Sequence, residues 1–66
     1  MKLKIEFYED ASGDWRWRAL RSGQIVADSA EGYVNRADME QTLTNFLDSI
    51  AEGDLELPDD FTWPAS

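Results

Sequence analysis

The sequence predicts an α+β domain: an antiparallel β-sheet covered by one amphipathic helix, in the order β-β-β-α-β. Three observations carry this. Three short N-terminal runs alternate side by side with period two, the mark of strands with one dry face. One later run repeats its apolar residues with helical period. Glycines and small polar residues stand singly between these runs, where turns are needed.

The first strand follows from Leu3, Ile5 and Phe7 alternating with Lys4, Glu6 and Tyr8. Residues 9–14 are small and acidic and form a turn, with Gly13 free to take positive φ. In the second strand Trp15, Trp17 and Ala19 point one way, and Arg16, Arg18 and Leu20 the other. Residues 21–23 make a tight turn into a third strand, residues 24–28, through Ile25, Val26 and Ala27. Residues 29–33 then leave the sheet, with Gly32 supplying backbone freedom.

The helix start is marked by Asn35 as N-cap, with Asp38 near the free amides and the positive end of the dipole. Val34 and Met39 are placed to form a hydrophobic staple. Met39, Leu43, Phe46, Leu47 and Ile50 fall within one arc of about 100°. Glu40, Gln41, Thr44, Asp48 and Glu52 face away, and Gly53 ends the helix. Residues 54–57 alternate once more and predict a short fourth strand, stopped by Pro58. The organisation is thus one domain over residues 1–58 and an acidic, aromatic tail over residues 59–66.

A chain of 66 residues has room for one domain only, and a domain this small is marginal alone. Small scaffolds gain stability from disulfides, a metal or a second chain. Cysteine and histidine are both absent. That removes disulfides, zinc sites built on Cys or His, thiol nucleophiles and every triad that needs an imidazole. A homodimer is the remedy left. One helix also cannot seal a sheet on two sides or cover its edges.

The charge is lopsided, with 14 acidic against 6 basic residues and a net −8. Such a body repels phosphates, which disfavours nucleic acid as a partner, and suits a salt-rich cytosol or a basic protein. No apolar run approaches the ~18 residues of a membrane span, and the Met1 to Lys4 start leads into no signal-type apolar run. A cytoplasmic location is the expectation.

Candidate sites are few. Trp15 and Trp17 with Arg16 and Arg18 invite comparison with single-strand binders, but rings and guanidinium groups on alternate positions lie on opposite sheet faces. The rings therefore read as core. Arg16, Arg18 and Tyr8, with Lys4 and Glu6, form the open face. Cross-strand pairing with Glu6 is the plain reading there, and a weak anionic ligand or a partner protein the alternative. Glu9, Asp10 and Asp14 lack the spacing of a calcium loop and read as a solvated turn. Asp59 and Asp60 lack a third ligand. The four glycines form no phosphate loop. No catalytic, cofactor-binding or metal-binding residue is assigned, and the protein is expected to be no enzyme and to use no cofactor. The tail, with Asp59, Asp60, Phe61 and Trp63, has the composition to dock in a basic or apolar groove, or to fold back over a dimer core.

Residues 13–18, the Ser22-Gly23 turn, Ile25-Val26-Ala27, and Glu31-Gly32-Tyr33 ahead of a capped helix together resemble the YegP-like family of small domains of uncharacterised function. The likeness runs from about Ile5 to Ile50. It implies a β(3)-α-β unit, two of which join in one continuous sheet and exchange C-terminal strands. Here two chains would be needed, with residues 55–57 as the exchanged strand, or residues 61–63 in the tail instead. The second turn reads Ser-Gly where that family often has Asn-Gly.

The expected function is a non-enzymatic homodimeric interaction or accessory module. An acidic decoy for the nucleic-acid site of a basic protein, as in some phage inhibitors, is the alternative. A weak anion or nucleic-acid binder through Arg16 and Arg18 is the third. The apolar stripe predicts that Phe46→Ala costs about 3–5 kcal/mol, the range for a buried aromatic.

Overall fold

The computed structural model describes residues 2–62. Three strands, β1 (Lys4–Glu9), β2 (Trp15–Arg21) and β3 (Gln24–Asp28), form an antiparallel sheet in the order β1-β2-β3, and α1 (Arg36–Glu52) follows. These elements stand where period and turn chemistry place them. Among the described residues no helix is long and apolar enough to cross a membrane.

Register explains the two faces of the sheet. Phe7 pairs with Trp17 and Ile5 with Ala19, so these four side chains share the face under the helix. Tyr8 pairs with Arg16 and Glu6 with Arg18 on the other face. The β2–β3 hairpin closes through Ser22 and Gly23, both at positive φ, 53° and 80°. That is the two-residue turn whose twist matches the strands. Ala19 pairs with Ala27 but Leu20 with Ile25, so Val26 is the extra residue of a β-bulge.

Residues 29–33 stay closer to the sheet than their composition predicts. Ser29 is buried and donates its N–H to Trp17 O at 2.9 Å, while its Oγ accepts the Trp17 N–H at 3.2 Å. Trp15 and Tyr33 then exchange backbone bonds of 2.7 and 2.9 Å. Only residues 30–32 arch away. Gly32 is needed there for closeness, not for positive φ: a Cβ would sit 2.7 Å from Asp14 Cβ and 2.9 Å from its Oδ2. Gly32→Ala must push the 9–14 turn aside, which costs about 1–3 kcal/mol by overpacking. A thermal melt within about 0.5 kcal/mol of the parent would show that the arch yields freely.

The helix ends differ from expectation at one side only. At its C-terminus Gly53 is left-handed (φ 71°), its N–H bonds Ile50 O, and the Asp54 N–H bonds Ser49 O at 2.9 Å. This closure satisfies two orphan carbonyls. At the N-terminus Asn35 is the cap residue, yet its side chain caps no amide and donates to Asp38 Oδ2 at 3.4 Å. The Asp38 carboxylate answers the dipole instead. The staple is absent: Val34 is 83 % exposed while Met39 is fully buried. Tyr33, bonded to Trp15, fixes the entry of the chain in its place.

The core consists of Trp17, Ala19, Met39 and Leu43, with Trp15 and Tyr33 packed against it. The stripe of α1 is therefore used in its first half only. Phe46, Leu47 and Ile50 are 48 %, 44 % and 47 % exposed. Residues 54–58 belong to no strand of their own chain. A strand needs an open edge to bond, and the turn at Gly53 does not carry these residues back to either edge of this sheet.

Candidate functional site

The open face of the sheet holds the arginines in the strand alternation. Arg18 Nε donates to Glu6 Oε1 at 2.8 Å, and its guanidinium lies 4.9 Å from the Tyr8 ring centroid. Lys4 Nζ stands 3.3 Å from the other Glu6 oxygen. Arg16 Nε donates to Asp10 Oδ2 at 2.6 Å, and its Nη1 reaches Ser29 O at 3.5 Å. Tyr8, Arg16 and Arg18 thus do come together, as a pairing network rather than an empty cradle. Trp15 and Trp17 lie across the sheet from them, with Trp17 buried.

Asp10 organises the acidic turn. Its Oδ1 accepts the N–H groups of Ser12 at 2.9 Å and Asp14 at 3.0 Å, while Oδ2 takes Arg16. Both oxygens are committed to the fold. The bond from Arg16 holds the Asp10 carboxyl below its ordinary 3.8, helped by the backbone donors. The bond from Arg18, then that from Lys4, lowers Glu6 from 4.5. Lowered folded-state values mean stability that is present above the ordinary values and is lost as pH falls through the lowered ones. Asp10→Asn, which cannot titrate, melts below the parent at pH 7. The gap should close on acidification below about pH 4. A gap that persists unchanged at pH 2 would show that the charge of Asp10 contributes nothing.

Under the helix the two flanks of α1 differ. At about 100° per residue, Arg36, Glu40 and Leu47 share one flank, and Thr42 and Phe46 the other. On the first, toward β1, the Arg36 guanidinium lies 5.1 Å from the Phe7 ring and 5.2 Å from Trp15, and Nε donates to Glu40 Oε1 at 2.7 Å. On the second, toward β3, an open cleft of about 400 Å³ runs between β3, the 29–33 arch and the helix. Trp17, Tyr33, Thr42 and Phe46 line it, together with residues 27–31 of β3 and the arch. Trp17 and Phe46 stack at 5.9 Å and 29°. Sequence reasoning assigned Trp17 and Phe46 to core and missed the cleft, because nothing in the period of residues 29–33 announces that Tyr33 returns to the sheet.

In the tail Asp59 and Asp60 form an exposed turn closed by the Phe61 N–H on Pro58 O at 3.0 Å. Leu55, Leu57 and Phe61 are nearly half exposed. Trp63 lies outside the described residues.

Charge divides along the chain. All six basic residues and six of the 14 acids lie in residues 1–36, so the whole net charge of −8 sits on residues 37–66. That is the helix and the tail. Among the described residues no group of three or more acids is placed to hold a metal ion.

No family model matches the chain, and no curated protein matches it. A solved structure does: the NMR solution structure of a protein from Haloferax volcanii, at TM-score 0.71 and 29 % identity, over 86 % of this chain and 97 % of that one.

Proposed function

We propose that the protein is a non-enzymatic interaction module that works as a homodimer. The observation that carries this reading is the apolar surface one chain leaves uncovered. Phe46, Leu47 and Ile50 on α1, with Ile5 and Phe7 on the helix side of the sheet, are each more than a third exposed. Monomers rarely leave large apolar patches in water. A four-residue core is also thin for a self-sufficient domain.

The resemblance to YegP-like domains adds the finer proposal that residues 55–57 of each chain join the sheet of the other. We take β1 as the receiving edge, because Leu55 and Leu57 would lie beside its partly exposed Ile5 and Phe7. Sedimentation at micromolar concentration tests the dimer, and a compact monomer there would overturn it. Deleting residues 54–66 should then yield a monomer or an unfolded chain. A truncated protein that still sediments as a dimer removes the exchange and keeps the pairing.

The concentration of charge on residues 37–66 favours a second reading, an acidic decoy that occupies the site of a basic protein. Capture of a basic partner that collapses between low and high salt supports the decoy. Capture that ignores salt excludes it. An anion site at Arg16 and Arg18 has less support, since both guanidinium groups already hold carboxylates.

A further inference from the structure

We propose that ionic strength governs the assembly of this protein: the dimer tightens as salt rises and comes apart as salt falls. This regulation rests on the reading of the chain as a homodimer. Its basis is that the uncovered apolar face and the unbalanced charge occupy the same part of the chain. Phe46, Leu47 and Ile50 lie exposed on α1. That helix and the segment after it also carry eight acids, from Asp38 to Asp60, with no lysine or arginine beyond Arg36. All eight are exposed.

Cations of the same chain do not balance these acids. Lys4, Arg16 and Arg18 pair with Glu6 and Asp10, and Arg36 takes Glu40. Among the described residues, the seven acids left in this group when Glu40 is set aside have no ion pair. A two-fold contact presents the same surface from both copies. Pairing through the stripe therefore brings two segments of eight negative charges each toward one another. The sheet half adds little net field, since its six acids and six bases cancel.

Length scales decide when the repulsion wins. Screening acts over about 30 Å at 0.01 M salt, about 10 Å at 0.1 M and about 3 Å at 1 M. One copy measures 41 × 26 × 19 Å. In dilute salt the screening length exceeds the two shorter dimensions, so most acids of one copy repel most acids of the other. At 1 M it is less than the width of a helix, about 10 Å, and only near neighbours interact. Apolar burial needs no screening and persists throughout.

The test is sedimentation equilibrium of the intact protein in sodium chloride from about 0.01 M to about 1 M. The dissociation constant should fall at least about 100-fold across that range. Asp48→Asn, Glu52→Gln, Asp59→Asn and Asp60→Asn together remove four of the eight charges and leave the stripe intact. This variant should associate more tightly than its parent in dilute salt and converge with it at 1 M.

A dimer equally tight at both salts sinks the regulation and leaves the dimer standing. A monomer at 1 M, where repulsion is screened, sinks the dimer itself. A neutralised variant as salt-dependent as its parent would mean that salt acts through the apolar contact or a bound cation, and would overturn repulsion as the cause. Circular dichroism of the same samples closes the remaining gap. Helix lost in dilute salt and regained on concentrating the protein agrees with linked assembly. Helix lost at every protein concentration would place the repulsion within one chain, and the proposal would fail.

Discussion

Met39→Ala should lose about 2–5 kcal/mol, the range for truncating a buried Met. Met39 is the one large side chain with no exposure among the described residues, at the centre of a core that otherwise holds Trp17, Ala19 and Leu43. Folded domains hold only about 0.05–0.15 kcal/mol per residue, so 66 residues can lose most of their stability at this one position. Phe46→Ala provides the informative contrast. The helical stripe read from sequence predicts about 3–5 kcal/mol there. Within one chain, however, Phe46 is half exposed and keeps mainly its stack on Trp17, so roughly half that loss is expected of a monomer. Chemical denaturation of both variants at two protein concentrations decides the matter. A loss at Phe46 that matches the loss at Met39 requires a second chain over the ring. A loss below about 1 kcal/mol at Met39 would show that the assigned core is wrong.

What the sequence reveals and what it hides follow from range. Strands and helix are local: alternation in Leu3 to Tyr8 and in Trp15 to Leu20, and the repeat from Met39 to Ile50, need no knowledge of distant residues. All four elements were legible for that reason. So was the pairing of Arg18 with Glu6, because strand register follows from the turn between them. The depth of burial was not legible. The repeat marks Phe46, Leu47 and Ile50 as equal to Met39 and Leu43, but the sheet beneath is too short to cover all five. The cleft was hidden too. It depends on Tyr33 bonding Trp15 across 18 residues, and on Gly32 standing against Asp14, neither of which leaves a periodic trace. The alternation at residues 54–57 is a local signal too, but it forms no strand in the described chain, since alternation alone does not supply an edge to bond.

That leaves the uncovered half of the helix as the feature with most at stake. Leu47→Asp combined with Ile50→Asp should dissociate the proposed dimer. In one chain both positions are nearly half exposed, and such surface changes alter stability by about 0.5–1 kcal/mol each. Across a two-fold interface each substitution occurs twice. Four aliphatic side chains then leave a dry contact, at about 1.5–3 kcal/mol apiece, and four carboxylates are asked to enter it. Even half of the transfer term amounts to about 3 kcal/mol or more, which weakens association at least 100-fold. Two measurements give the answer together. Sedimentation should move from dimer to monomer, and the melting temperature should fall and lose the concentration dependence that linked folding and association give the parent. Leu47→Ala with Ile50→Ala should fall between, since it removes contact without burying charge. A doubly charged variant that sediments and melts as its parent does would mean that water, and not a second chain, covers this face, and the proposed homodimer would fall with it.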